Sequence, residues 1–173
     1  MANRLDVCFV GLGSIGIRHL KNLHEIAISR GLDLHVVALR HQRRPLTEDV
    51  GRLIEAEYYF IDDLPKVDLA FICNPSQLHL ETLRKMKDKA RCFFVEKPAF
   101  TSPVATEELD FLADDKRFYV ACPLRHTRLF EAMSEFVSSN RVYACRAICS
   151  SYLPDWRPNM DYRKLYCATA AAG

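Results

Sequence analysis

Three groups of residues in this chain have the types and spacing that chemistry needs. Gly11-Leu12-Gly13-Ser14-Ile15-Gly16 sets three glycines at G-x-G-x-x-G spacing, a string that cradles a pyrophosphate when a strand precedes it and a helix follows. Gly11 permits the tight turn, Gly13 lets backbone approach the phosphates, and Gly16 lets helix and strand pack closely, while Ser14 and Ile15 open the helix whose first amides face the anion. A glycine-rich turn with no ligand is the competing reading. The second group, Arg40, Arg43 and Arg44, follows the next apolar run. An NAD-type site puts a carboxylate there for the ribose hydroxyls, but Asp33 lies before that run and guanidinium groups stand after it, where they suit a 2′-phosphate. NADP is therefore the expected cofactor, with NAD as the alternative; a solvated basic loop is the plainer reading. The third group is Asn74-Pro75-Ser76, His79 and Glu96-Lys97-Pro98. His79 either faces the nicotinamide pocket or lies on the surface. Lys97, directly after a strand-like run, is placed to move a proton at a reacting oxygen, against the bland possibility of a surface lysine.

The elements that must position these groups alternate along the chain. Residues 5–10 form a short apolar run, 14–30 carry Ile15, Leu20, Leu23 and Ala27 at helical spacing, Gly31 is suited to end that helix, and 34–39 form another strand-like run. Further helices are expected over 50–56, 78–87 and 107–113, and further strands over 58–61, 69–73, 92–95 and 118–122. Strand runs that are apolar on both faces belong to a parallel sheet covered by helices on each side. The expected fold is α/β, a doubly wound parallel sheet of the Rossmann type over residues 1–122, with Asn74, Pro75, Glu96 and Lys97 at the carboxyl edge where such folds bind ligands. After Pro123 the pattern changes to one helix over 129–137, an alternating strand over 142–150 and an aromatic, Pro- and Arg-rich stretch over 152–166. Residues 123–173 are read as the truncated start of a second, α+β domain, and the chain as a fragment.

Composition bounds these readings. With 173 residues, 49% of them hydrophobic and 27% charged, the chain can bury a core without disulfides. A balance of 24 basic against 22 acidic side chains exerts no general pull on nucleic acid or membrane. No run approaches the roughly 20 apolar residues of a membrane span, and no secretory signal is visible, so a cytoplasmic location is expected. Cys8, Cys73, Cys92 and Cys122 sit in or beside apolar runs as reduced core thiols. Cys145 and Cys149 lack histidines at metal-site spacing, and no metal is expected.

In their order and spacing, the three motifs Gly11 to Gly16, Asn74-Pro75-Ser76-Gln77-Leu78-His79 and Glu96-Lys97-Pro98 resemble the Gfo/Idh/MocA family of nicotinamide-dependent oxidoreductases. The resemblance covers the first domain. It implies a Rossmann domain followed by a substrate domain on an open, largely antiparallel sheet, a role for Lys97 in the catalytic site, and a cis peptide before Pro98. His79 is the second candidate catalytic residue. Two features depart from the family pattern. Cys122-Pro123-Leu124-Arg125 stands where an aromatic-Asn pair precedes Leu-Arg, and the motif carrying the family's Asp and His falls past Gly173, so this chain alone is expected to be inactive. Tyr152 to Pro158, followed by Asp161-Tyr162-Arg163, is similar to members of surface-glycan and nucleotide-sugar pathways. Arg125, Trp156, Arg157 and Tyr162 are accordingly candidate substrate contacts, with a polar sheet-edge loop as the alternative. The expected function is hydride transfer between NAD(P) and a hydroxyl-bearing carbon of a sugar, inositol or nucleotide-sugar-like substrate, by a protein that is a homo-oligomer at full length. The competing class is a cofactor-binding regulator or sensor without catalysis.

Overall fold

The computed structural model describes residues 4–112, 117–150, 152–156 and 160–164. They fall into two compact units, Met1–Ala121 and Cys122–Gly173. In the first, β1 (Arg4–Val10) leads through a tight turn into α1 (Ser14–Arg30), which ends at Gly31 in the left-handed conformation, its N–H donating to the carbonyls of Ala27 and Ile28. Then follow β2 (Asp33–Leu39), α2 (Glu48–Gly51), β3 (Ala56–Tyr58), β4 (Val67–Ile72), a 3₁₀ turn over Ser76–Leu78, α3 (His79–Met86), β5 (Ala90–Val95), a 3₁₀ turn over Thr106–Leu112 and β6 (Phe118–Val120). All five strand pairings are parallel, in the order β3-β2-β1-β4-β5-β6.

The alternation of side chains along β1 explains why both faces are covered. Val7 and Phe9 point into a cluster with Leu20 of α1, Val36, Val50 and Phe71; Cys8 and Val10 point into a second cluster with Ala70, Ile72, Phe93, Val95 and Leu83 and Met86 of α3. Period-two placement on the central strand thus feeds two cores, with α1 and α3 on opposite faces. The doubly wound parallel sheet expected from the apolar runs is what forms.

Several elements differ from the periodicity. The helix expected over 50–56 is the short α2, the strand expected over 58–61 is Ala56–Tyr58, and the helix expected over 107–113 is the 3₁₀ turn Thr106–Leu112, Ala113 lying outside the described residues. Within the second unit, α4 (Arg128–Ser139) is capped by Thr127, whose hydroxyl oxygen accepts from the Phe130 N–H at 3.3 Å. A 3₁₀ turn over Pro123–His126 precedes it, and α5 (Leu153–Trp156) and a 3₁₀ turn over Tyr162–Lys164 follow. Residues 142–150 form no strand, and Val142, Tyr143 and Ile148 are exposed. Alternation alone does not make a strand: it needs a neighbouring ladder for its N–H and C=O groups, and none is described in that unit. Among the described residues no helix is long and apolar enough to cross a membrane.

Candidate cofactor and active site

Register brings the candidate residues to one edge. Val10 pairs with both Leu39 and Ile72, Ile72 with Val95, and Val95 with Val120, so Gly11, Arg40, Asn74 and Lys97 all leave the sheet at its carboxyl end. Strand order reverses between β1 and β4, the switch point at which open α/β sheets form their ligand crevice. At that point the glycine loop meets the Asn74 loop. Gly11 has φ 87, and a Cβ on it would lie 2.9 Å from the Asn74 nitrogen, so both its conformation and the space require glycine. A Cβ on Gly16 would lie 2.3 Å from the Gly11 carbonyl oxygen, whereas one on Gly13 would meet nothing within 4 Å. Gly11 and Gly16 serve the packing of the turn; the space at Gly13 is open to a ligand.

The residues present fit a dinucleotide. No acidic residue stands in the first turn of α1 and no side chain caps it, which leaves its amide donors and positive end for phosphate. Ser14 is exposed there, and Ile15 packs partly into the α1-side core. Asn74 donates through its amide nitrogen to Thr82 Oγ1 at 2.8 Å, while its Oδ1 is buried without a hydrogen-bond partner among the described residues. Pro75 is exposed beside it.

The arginines are less free than their sequence position indicates. The Arg40 guanidinium pairs with Glu57 and donates to the Arg44 carbonyl, and its side chain is only 10% exposed. Arg43 lies over the Tyr59 ring, 4.8 Å from its centroid, and Arg44 is exposed. A carboxylate does therefore stand near the end of β2, contributed by β3.

Glu96 and Lys97 part company although adjacent. Glu96 is buried; its Oε1 lies 2.7 Å from His19 Nε2, and its Oε2 accepts the Lys97 N–H at 3.1 Å. Burial pushes the Glu96 pKa up, but the hydrogen bonds from His19 and the Lys97 amide, together with the charges of His19 and Lys97, outweigh it and hold the carboxyl below its ordinary value. Lys97 is exposed, with no side-chain partner among the described residues, and the Lys97-Pro98 peptide is cis. His79 occupies neither place expected for it. It is fully buried, with Nδ1 3.1 Å from the Pro98 oxygen and 3.2 Å from that of Ala99, and Nε2 3.0 Å from the Asn74 oxygen. Its ring nitrogens are taken up by backbone, so as placed it presents no nitrogen to a substrate. The signal was in the helix: His79, Thr82, Leu83 and Met86 form the buried stripe of α3 at i, i+3, i+4, i+7.

Sequence reasoning missed His19, whose ring also packs against Phe94 at 5.2 Å and Phe71 at 5.8 Å. Its position three residues after Gly16 and one before the buried Leu20 was the available hint. Cys8 and Cys73 are buried thiols whose pKa burial pushes up to about 12, Glu96 adding to the effect at Cys73; both are inert core residues. Of the candidate substrate contacts, Arg125 is exposed in the Pro123–His126 turn and Tyr162 half-buried with Arg163 over its ring. Trp156 ends α5, while its side chain and the whole of Arg157 lie outside the described residues.

Among solved structures the chain has clear counterparts. Apo scyllo-inositol dehydrogenase from Lactobacillus casei matches with a TM-score of 0.63 at 22% identity over 80% of this chain and 43% of that one. Myo-inositol 2-dehydrogenase from Lactobacillus plantarum matches at 0.58 and 22%, over 79% and 42%. A levoglucosan dehydrogenase in complex with NADH and levoglucosan matches at 0.60 and 21%, over 79% and 40%. These likenesses carry the fold, and the chain spans about two fifths of the length of those proteins. No curated protein sequence matches it. Residues 5–122 match the family model described as oxidoreductase family, NAD-binding Rossmann fold, and with the glycine loop, the switch-point crevice and Lys97 all at one sheet edge, the chain belongs to the Gfo/Idh/MocA oxidoreductase family.

Proposed function

We propose that this chain is the cofactor-binding part of an NAD(P)-dependent dehydrogenase that oxidises a hydroxyl-bearing carbon of a sugar, an inositol or a nucleotide-sugar-like substrate. The observation that carries the reading is the exposed Lys97 just past the end of β5, without a side-chain partner among the described residues and on the same edge as the open space at Gly13. A bound nicotinamide supplies the hydride acceptor. The first turn of α1 holds the pyrophosphate with backbone amides. Lys97 hydrogen-bonds the substrate oxygen and passes on its proton as the C–H bond breaks. The β1–β3 half, with Arg40 at its edge, takes the adenosine side, leaving the β4–β6 half and Lys97 to the nicotinamide side.

Of the two cofactors, the Arg40, Arg43 and Arg44 cluster supports NADP, with Arg44 its least committed member, while the Arg40–Glu57 pair supports tolerance of NAD. Arg125, Trp156, Arg157 and Tyr162 are proposed sugar and phosphate contacts of the second unit. Turnover belongs to a homo-oligomeric protein with a complete substrate domain, since the match to this chain spans only about two fifths of related dehydrogenases; this chain alone binds cofactor and does not turn over. The test is titration of this chain with NAD and NADP, followed by nicotinamide absorbance assays of the full-length gene product on a panel of sugars and inositols. Reduction with any of them supports the dehydrogenase. Tight cofactor binding with no turnover on the whole panel replaces it with the regulator.

A further inference from the structure

The turn that carries Lys97 leaves the sheet with little backbone support. Glu96 N–H still donates to the Ile72 carbonyl at 3.0 Å, but among the described residues no backbone-to-backbone hydrogen bond holds 97–99. Two histidines from helices on opposite faces of the sheet hold it instead, His79 fully buried and His19 partly so. On one flank His19 of α1 reaches Glu96, at 2.7 Å, with the two side chains 19% and 12% exposed, and Glu96 receives the Lys97 N–H. The His19 ring is itself fixed by the edge contact with Phe94, two residues before Glu96 on β5. On the other flank His79 of α3 stands between the carbonyls of Pro98 and Ala99 and that of Asn74. α1 is the helix that begins at the glycine loop, and Asn74 packs on Gly11.

From this geometry we infer that His19, acting through Glu96, is a positioning residue that sets the Lys97 turn relative to the glycine loop, with His79 fixing the opposite flank. The inference rests on the dinucleotide reading above and goes beyond it. Glu96 is then not a cofactor ligand in its own right: both its oxygens are occupied by His19 and the Lys97 amide. Because the turn borders the nicotinamide half of the crevice and not the adenosine half, losing the clamp selectively weakens contacts to that half. Charge-assisted hydrogen bonds in a partly buried site are the strong ones, and removing one partner leaves the other carboxylate or ring unsatisfied.

The experiment uses this chain and two probes, NAD and ADP, which share adenosine and pyrophosphate and differ in the nicotinamide riboside. In His19→Gln and in Glu96→Gln, NAD affinity is expected to fall about tenfold, roughly 1.4 kcal/mol, with ADP affinity held within about twofold. The double variant is expected to lose no more than either single one, because the two act as a unit. Equal losses for both ligands, or no loss for either, overturn the inference; a wild-type chain that binds neither ligand instead overturns the dinucleotide reading. Amide hydrogen exchange reads the clamp without any ligand. His19→Gln is expected to speed exchange at the Lys97 amide about tenfold while the amides of β1 keep their protection, and unchanged exchange at Lys97 overturns the inference even where the chain binds nothing.

Discussion

Gly13 and Gly16, three residues apart in one loop, should fail in opposite ways. A methyl at Gly16 would sit 2.3 Å from the Gly11 carbonyl oxygen, more than about 1 Å inside ordinary contact distance. That oxygen has nowhere to go, since Gly11 N–H is bonded to the Leu39 carbonyl at 3.1 Å and its α-carbon is packed on the Asn74 backbone. Overpacking of this kind costs about 1 to 3 kcal/mol, which for a chain of this size lowers Tm by about 3 to 12 °C. Gly13 has φ −74 and ψ −174, a conformation open to any residue, and nothing lies within 4 Å of a Cβ there. Gly13→Val therefore gives up only glycine's preference at the helix N-cap, at most about 1 kcal/mol, while filling the space into which a pyrophosphate must come. Its NAD affinity should fall at least about a hundredfold, near 2.7 kcal/mol. Thermal unfolding by circular dichroism and calorimetric titration with NAD, run on both variants, separate the two effects. A Gly13→Val protein that binds NAD within threefold of wild type would refute the seat assigned to the pyrophosphate, and a Gly16→Ala protein with unchanged Tm would refute the tightness of the helix–strand approach.

Lys97→Ala in the full-length gene product should lower kcat by about 10² to 10⁴ with little change in cofactor affinity; steady-state kinetics on an identified substrate with near-normal kcat would return Lys97 to the surface. Glu57→Gln should release Arg40 from its partner and raise the NADP over NAD preference by about fivefold at low salt, the gain shrinking as salt screens it, whereas Arg44→Ala should lower that preference; parallel titrations with both cofactors check both. Since the folded-state pKa of Glu96 is depressed, its contribution to stability is complete above the unfolded value of about 4.3 and is lost as pH falls through the folded one. Urea unfolding midpoints of Glu96→Gln should accordingly vary less than wild type with acidification below about pH 5, and parallel profiles would contradict the hydrogen bonds of Glu96 with His19 and the Lys97 amide.

The legible parts of this fold were those written in short stretches. The glycine spacing, the helical period of 14–30 and the β-branched runs on either side specify β1, α1 and β2 almost to the residue, because each depends on local sterics and on one buried stripe. What remained hidden joins distant positions. His19 and Glu96 are 77 residues apart, and Arg40 and Glu57 17 apart. Neither pair has a periodic signal, since only the sheet register brings them together. His79 is the intermediate case: its place on the α3 stripe was visible, but polarity argued for the surface or the crevice, and the carbonyls that its ring nitrogens face come from two other loops. The 142–150 stretch shows the converse, a strand pattern that forms no strand because pairing is not a property of one segment.

The central place of β1 has a consequence for biosynthesis. Val7 pairs with Val36 on one side and with Leu69 on the other, so β1, α1 and β2 can assemble on the emerging chain long before the other edge of β1 finds its partner. From Leu39, the last residue of β2, to Ile72, the last of β4, 33 residues must be added, which takes about 2 to 7 s at ribosomal speed. Throughout that interval an apolar edge, Val7-Cys8-Phe9-Val10, stands open with its N–H and C=O groups unpaired, the kind of surface on which nascent chains stick to one another or to a chaperone. The edge closes only when β4, through Ile72, has emerged to pair with it.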